Sequence, residues 1–219
     1  MRQMTRRCGA LAALLLLGVA AVAGADTVRA DVDLTTHDIG SKETLLGDTV
    51  ADAIRGAAHA DIAFVPASSF ADITLPKGAV NSADIVRALD SAYRTDTIVL
   101  VKLTGSQVVR ALEQSVYLYP NTFNGFLSVS GLSATVNASA DGDHRVSSVR
   151  VGGEPIDASH IYHVAMPEPL ANGAYMYFRV WKKTDIQKDT ERTLESALTA
   201  WLTEHRTLAK TEDRLALKK

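Results

Sequence analysis

The sequence predicts an α+β fold, a single layered domain in which helices pack on a mixed or antiparallel sheet. Helical periodicity dominates the first half, and short strands with glycine turns follow Pro120, so helices and strands segregate rather than alternate strictly. The chain has 219 residues, of which 47% are apolar and 22% charged, which is enough to bury a full core. Aromatic residues make up only 6%, and this predicts a mainly aliphatic core.

Residues 1–25 have the pattern of a secretory signal peptide. Three arginines lie in Met1–Arg7, Cys8–Gly24 is almost entirely apolar or small, and Ala23-Gly24-Ala25 resembles a cleavage site. The pattern predicts an exported protein, periplasmic or extracellular, with no membrane attachment after cleavage. The alternative is an uncleaved N-terminal anchor. Cys8 is the only cysteine, so the mature chain would have no disulfide and no cysteine ligand or nucleophile.

Cleavage would also change the net charge. Three of the 23 basic residues leave with the signal peptide and no acidic ones do, so 20 basic groups face 25 acidic groups and the net charge is −5. Nucleic-acid binding depends on basic groups that neutralise phosphates. We therefore expect no nucleic-acid partner.

The elements of the first half follow from local patterns. Residues 26–40 are polar and predict a loose arm ahead of a domain over residues 41–208. Ser41 is the predicted cap of a first helix with apolar residues at helical spacing, and Ser82 that of a second. Asp61–Pro66, a short apolar run ended by proline, predicts a strand.

The middle of the chain carries the strongest local signals. Thr97–Leu103 is apolar on both faces, which predicts a strand at the centre of a sheet. Thr104-Gly-Ser-Gln107 directly after it matches a capping box and predicts the start of a helix.

The second half predicts short strands with turns at Asp141-Gly142 and Gly152-Gly153. The four predicted strands are Phe126–Ser130, Leu132–Asn137, Arg145–Val151 and Ile161–Ala165. Thr190 or Thr193 is the predicted cap of a last amphipathic helix, and residues 209–219 predict a charged, frayed tail.

No pattern indicates a catalytic centre. The six histidines lack the spacing of a metal site, and the chain has neither a Gly-x-Ser-x-Gly elbow nor a phosphate-binding P-loop. We expect no catalytic residue, no metal site and no cofactor in this chain.

Aromatic residues in two loop-like segments are the remaining functional signal. The two segments share the composition of Asn121–Gly125 and Ala171–Tyr175, and their aromatic residues are Phe123, Phe126, Tyr175, Tyr177 and Phe178. Two aromatic loops can sandwich a flat ligand, with ring stacking worth about 1–3 kcal/mol per base. The alternative is that these rings are core residues near strand ends.

Seven motifs in one order and spacing resemble the C-terminal domain of the secreted 5′-nucleotidase / UDP-sugar hydrolase family. They are Glu43–Arg55, Ala60–Val65, Leu75–Gly78, Leu103–Gln107 with Ala111–Glu113, Phe126–Gly131, Val149–Pro155 and Tyr162–Ala165. The resemblance implies a domain that binds the nucleoside part of a substrate, next to a dinuclear metallophosphatase domain that hydrolyses it. The Asp-x-His and Gly-Asn-His-Asp/Glu signatures of that second domain are absent here.

The substrate-binding residues of the family match only in part. Its Asn-x-Gly-Gly-Ile-Arg loop, which grips the phosphate side, corresponds to Pro66–Asp72, and a second arginine-bearing region corresponds to Val80–Asp84; neither has an arginine here. The base-stacking side fits better, since Phe123 or Phe126 corresponds to one aromatic clamp and Asn172-Gly-Ala-Tyr175 is similar to the other. The resemblance thus implies Phe123, Phe126, Asn172, Gly173 and Tyr175 as substrate-binding residues.

Three functions stay open. The first is a recognition module for a nucleoside or nucleotide, serving a separately encoded metallophosphatase. The second is a degenerate domain without a ligand that acts as a scaffold. The third, an autonomous nucleotide hydrolase, has the least support because no residue set activates a metal or a nucleophile.

Overall fold

The computed structural model describes residues 26–140, 142 and 144–218, so the predicted signal peptide and part of the predicted Asp141-Gly142 turn lie outside the described residues. The five α-helices are α1 (Leu45–Ala58), α2 (Ser82–Val86), α3 (Gly105–Ser115), α4 (Glu168–Ala171) and α5 (Leu194–Glu204).

Fourteen short strands are described. They are β1 (Thr27–Ala30), β2 (Leu34–Thr35), β3 (Ile62–Pro66), β4 (Thr74–Leu75), β5 (Gly78–Asn81), β6 (Thr97–Thr104), β7 (Leu127–Ser130), β8 (Leu132–Asn137), β9 (Val146–Val151), β10 (Glu154–Pro155), β11 (Ile161–Pro167), β12 (Ile186–Thr193), β13 (Thr207–Leu208) and β14 (Leu215–Lys218). Three 3₁₀ segments join them, at Ala67–Ser69, Ala174–Arg179 and Lys183–Asp185.

A five-stranded mixed sheet is the centre of the fold, with the strand order β12-β6-β11-β3-β7. Strand β11 is parallel to β3 and antiparallel to β6, while β7 and β12 are antiparallel edge strands. The predicted position of β6 inside the sheet is confirmed. Every residue of β3 is buried, since β11 and β7 flank the strand and α1 packs on it.

Helix α1 packs on β3, β7 and α5 and carries most of the core of this layer. Its buried side includes Leu46, Val50 and Ile54, which recur at helical spacing and are fully buried. The cap differs from the prediction. Thr44, not Ser41, is the N-cap, because its hydroxyl accepts a hydrogen bond from the Gly47 backbone N–H at 3.1 Å.

Helices α2, α3 and α5 also follow a residue whose side chain accepts a hydrogen bond from a backbone N–H of the first turn. The capping box at α3 is confirmed, since the Thr104 hydroxyl accepts from the Gln107 backbone N–H and the Gln107 carboxamide oxygen accepts from the Thr104 backbone N–H. Thr193 caps α5 as one of the two predicted caps. Helix α2 begins at Ser82, but its cap is Asn81, whose side chain accepts from the Ala83 backbone N–H at 2.8 Å.

Three further sheets surround this layer, with strand orders β13-β1-β5, β10-β9-β8-β14 and β2-β4. The predicted strands on either side of the Asp141-Gly142 turn, β8 and β9, pair antiparallel. The prediction of an α+β fold is confirmed as well. Among the described residues, no helix is long and apolar enough to cross a bilayer.

Both predicted loose segments are ordered instead. Within residues 26–40, β1 pairs with β5 and β13, and Val28 and Leu34 are fully buried. Within residues 209–219, β14 runs parallel to β8. Each strand has too few residues to show a period of two, and its partners are distant in sequence, so local patterns could not reveal it.

Candidate ligand-binding site

Three loops meet at one end of the central sheet. The loop before β7 (Asn121–Gly125) contacts the 3₁₀ segment after β3, where the Ser68 backbone N–H donates to the Asn124 carbonyl at 2.9 Å. It also contacts the segment after α4, where the buried Tyr177 hydroxyl donates to the Gly125 carbonyl at 2.8 Å. The structure therefore brings together the two predicted aromatic segments and the Pro66–Asp72 loop.

Phe123 and Tyr175 form a pair of rings at this junction, which we call the aromatic pair. Their centroids are 6.3 Å apart and their planes are perpendicular. Both residues are half-buried. Gly125 makes this approach feasible, because a Cβ there would lie 2.6 Å from both Phe123 Cζ and Tyr175 Cβ.

A buried stack of two aromatic rings follows Tyr175 along the same segment. Tyr177 and Trp181 are both buried, and their rings stack with centroids 4.8 Å apart and planes inclined by 14°. The Trp181 indole N–H donates to the Leu170 carbonyl, and burial raises the pKa of the Tyr177 phenol, which stays protonated as a donor. This stack holds the loop that carries Tyr175 in one position.

The backbone at Tyr175 is strained. Tyr175 and Met176 have φ values of 55° and 68°, in the left-handed region that side chains with a Cβ rarely adopt. The Gln114 side-chain amide donates to the Tyr175 carbonyl at 3.2 Å and helps to keep this conformation. Strain of about 1–3 kcal/mol per residue persists where the surroundings enforce it, often at binding sites.

Phe126, the predicted alternative clamp, is a core residue. Its side chain is 1% exposed, and its carbonyl accepts from the Ala67 backbone N–H. No ligand can reach this ring without opening the core, so the ligand-contacting interpretation of Phe126 is wrong. Which of Phe123 and Phe126 stays partly exposed depends on where β7 begins. Phe126 directly precedes Leu127, the first residue of β7, and is therefore buried with the strand.

Asn172 and Gly173 lie beside the pair with different exposures. Asn172 is exposed, and its amide lies 3.4 Å from Glu168 Oε1 as a weak hydrogen bond. Gly173 is buried with φ of 94°, and a Cβ there would lie 2.7 Å from Phe178 Cβ. Gly173 thus shapes the turn and offers no side chain to a ligand.

Sequence reasoning did not select two residues that position the aromatic pair. Gly125 and Gln114 place the aromatic pair through contacts across the fold, and no local signal marks Gln114. Phe178 is 63% exposed, with the Arg179 guanidinium 6.0 Å from its ring centre. Phe178 is one of the five aromatic residues that the two segments had indicated.

A cluster of paired charges lies next to the aromatic pair. Asp38 forms an ion pair with Lys42 at 2.8 Å; that hydrogen bond lowers the pKa of Asp38 and raises the pKa of Lys42. His37 lies between Asp38 and the exposed Asp72, at 3.8 and 3.6 Å. The Gly40 carbonyl accepts from the Phe123 backbone N–H, which places this cluster next to the aromatic pair. Nothing here matches a bidentate arginine aimed at a phosphate.

No group of three or more His, Cys, Asp or Glu in residues 26–140, 142 and 144–218 is arranged to hold a metal ion.

Comparison with known proteins identifies the same family from sequence and fold. The family model of the 5′-nucleotidase C-terminal domain matches residues 19–182. A 5′-nucleotidase precursor from Thermus thermophilus is 26% identical, with a TM-score of 0.76 over 87% of this chain and 39% of that one. Compared with curated protein sequences, the chain has no significant match.

Two more distant structures share the fold. A putative 5′-nucleotidase from Staphylococcus aureus, solved with α-ketoglutarate, is 16% identical with a TM-score of 0.70 over 88% of this chain and 40% of that one. The NAD nucleotidase of Haemophilus influenzae is 17% identical with a TM-score of 0.66 over 80% of this chain and 33% of that one. The chain thus spans about two fifths or less of the length of these proteins.

Proposed function

The chain belongs to the 5′-nucleotidase C-terminal domain family, and from this premise we propose that it is an exported module that binds the nucleoside part of a nucleoside or nucleotide. Hydrolysis is assigned to a separately encoded metallophosphatase. The observation that carries the proposal is the aromatic pair, Phe123 and Tyr175, on a rigid base at the junction of three loops.

The pair offers a flat ligand one ring face and one ring edge. The rings of Phe123 and Tyr175 are perpendicular. A base can therefore stack on the face of one ring and contact the edge of the other ring, while the two rings keep their positions. The strained backbone at Tyr175 supports a binding role because it keeps this ring half-exposed instead of turning it into the core. Phe178 and Asn172, both exposed nearby, extend the surface.

The phosphate of a nucleotide has little to bind. The Pro66–Asp72 loop contributes Asp72, an exposed carboxylate that repels an anion, and Lys42 is already paired with Asp38. We therefore expect adenosine and AMP to bind with similar affinity, independently of Mn²⁺.

Calorimetric titration of the purified protein with adenosine, AMP and UDP-glucose tests the proposal, with and without Mn²⁺. Loss of one stacking partner, in Phe123→Ala or Tyr175→Ala, should weaken binding about 5- to 100-fold. Tyr117→Ala is the matched control, because Tyr117 is 59% exposed and outside the aromatic pair. Equal affinity in all three variants would refute the role of the pair.

One observation favours a scaffold function without a ligand. The edge of one ring already contacts the other, and the Pro66–Asp72 loop has no arginine. Absence of heat with all three ligands, from a protein that unfolds cooperatively, would establish this alternative. Release of phosphate from AMP that persists after chelation and copurifies with the chain would instead support an autonomous hydrolase.

Export is tested by N-terminal sequencing. A mature terminus at Asp26 in protein recovered outside the cytoplasm is the expected result. Recovery of uncleaved chain in the membrane fraction would support the anchor alternative.

A further inference from the structure

A groove of about 1150 Å³ lies at the other end of α1 from the Phe123 loop. Its two walls are helix faces with residues at spacings of three and four. They are Asp52, Arg55 and Gly56 of α1 with its C-cap His59, and Ala197, Ala200, Trp201 and Glu204 of α5. Its floor is formed by the turns at Gly131 and Gly152–Gly153.

We propose that this α1–α5 groove is a second ligand site that binds an oxyanion, a phosphate or a carboxylate group, on the guanidinium of Arg55. Arg150 is the second cation of the site. The site is separate from the aromatic pair, so it goes beyond the nucleoside-binding function.

Arg55 is held in place by the fold. Its Nε donates to Ser130 Oγ at 2.7 Å, and Ser130, which is 0% exposed, donates in turn to Asp52 Oδ1 at 2.5 Å. Among the described residues, no acceptor takes a hydrogen bond from its two terminal nitrogens. A guanidinium fixed through Nε keeps its terminal fork ready for a bidentate anion and loses little conformational entropy on binding.

Three of the four acidic groups that line the groove, all but Glu204, are already engaged. Asp52 Oδ2 accepts from the buried Arg214 Nη2 at 2.8 Å, and Glu212 accepts from the same nitrogen at 3.1 Å. Asp61 accepts from the His163 backbone N–H at 2.8 Å. Within the part of the chain that the structure describes, Arg55 forms no ion pair with any of these carboxylates. Its charge is therefore available to a ligand.

Glycine at position 131 lets Arg55 lie against this turn, because a Cβ there would lie 3.0 Å from Arg55 Cδ. The Gly152 backbone N–H donates to the Gly131 carbonyl at 3.1 Å, which places the two turns side by side. No atom lies within 4 Å of a Cβ built at Gly152 or Gly153. Arg150 Nη1 donates to the Gly153 carbonyl at 2.9 Å, so a second guanidinium lies at this floor.

The opposite wall is a flat aromatic surface. The rings of Trp201 and His205 stack with centroids 3.8 Å apart and planes inclined by 10°. An anion with an attached planar group can place its charge on Arg55 and its plane along this wall. Both residues line the groove.

NMR titration of the ¹⁵N-labelled protein with inorganic phosphate, and separately with citrate, tests the site at constant ionic strength. We expect saturable shifts at the Gly131, Gly152 and Gly153 amides. The probe that saturates distinguishes a phosphate from a carboxylate ligand. Shifts at Gly125 would instead report the aromatic pair, so failure of this proposal is distinguishable from failure of the nucleoside site.

Substitutions at Arg55 distinguish bidentate binding by the guanidinium from attraction by its positive charge alone. Arg55→Gln and Arg55→Lys should both weaken binding about tenfold or more, since lysine keeps the charge but not the fork. Arg87→Gln, which removes an exposed arginine paired with Asp84 on α2, should leave the affinity unchanged. If Arg55 variants lose their fold, Arg150→Gln should still weaken binding severalfold. Shifts that do not saturate with either probe, or an equal loss in Arg87→Gln, would overturn the proposal.

Discussion

Replacing Asp48 by asparagine should make the protein more stable at neutral pH. Asp48 lies in α1 and is 3% exposed, and neither of its carboxyl oxygens accepts a hydrogen bond from the described residues. Burial raises the pKa of Asp48 to about 9, and the charge of Glu43 adds to this effect, which Arg214 opposes. A proton on Asp48 also allows a hydrogen bond to Glu43, which two carboxylates cannot form.

Proton linkage gives the sign and the size of the change in the free energy of unfolding with pH. The folded state keeps Asp48 protonated up to about pH 9, whereas in the unfolded chain this carboxyl has the ordinary aspartate pKa of 3.8. The stability that Asp48 contributes is therefore complete below pH 3.8 and is lost as the pH rises through 9. Each pH unit within this window lowers the free energy of unfolding by up to about 1.4 kcal/mol, or about 2.7 kcal/mol from pH 5 to pH 7.

Urea unfolding of the wild type and of Asp48→Asn at pH 5 and pH 7 measures this difference. The variant lacks the titrating group, so the wild type should lose up to about 2.7 kcal/mol more than the variant over this interval. Titrating groups that do not interact with Asp48 are shared by both proteins and cancel. Equal losses in both proteins would mean that Asp48 is ionised in the folded state and would refute the reasoning.

Asp52→Asn is the matched control, one turn further along α1. Asp52 accepts hydrogen bonds from Arg214 and Ser130. The same chemical change should there lower stability at both pH values, by roughly 2 kcal/mol, because charged hydrogen bonds are lost. A stabilising effect of Asp52→Asn would show that hydrogen-bond partners do not explain the difference in stability between substitutions at Asp48 and Asp52.

Three further variants test particular contacts by urea unfolding. Arg214→Met should cost about 3 kcal/mol, because it leaves the Asp52 carboxylate without its cation; wild-type stability would contradict the pairing. Tyr177→Phe should lower the free energy of unfolding by about 1 kcal/mol and weaken adenosine binding, because the Gly125 carbonyl loses its donor. Unchanged affinity would show that this hydrogen bond does not support ligand binding. Thr104→Ala should cost about 1 kcal/mol through loss of the N-cap, and no loss would mean that the α3 cap contributes nothing.

Elements with local causes were predictable from the sequence. The capping box at α3 joins residues three apart, and the position of β6 follows from apolar residues on both of its faces. In both cases the decisive interactions or properties lie within a few residues of one another, so a short window of sequence contains them.

The aromatic pair was predictable only in part. Phe123 and Tyr175 were candidates because they lie in Asn/Gly-bearing loops, but Phe126 was an equal candidate and is buried. Gln114 carries no sign of its contact with Tyr175, 61 residues away. Which aromatic side chains meet depends on strand entry and loop closure, which short windows do not encode.

The sequence by itself determined the family, the α+β class, the central strand and the helix cap after it, since these depend on motifs and on neighbours along the chain. Only the tertiary structure decided that β1 and β14 are strands, that Phe126 is core, and that Arg55 is bonded to Ser130 in a groove. The physical reason is that these depend on partners distant in sequence. Burial and hydrogen bonding to such partners are properties of the folded chain and override local preference.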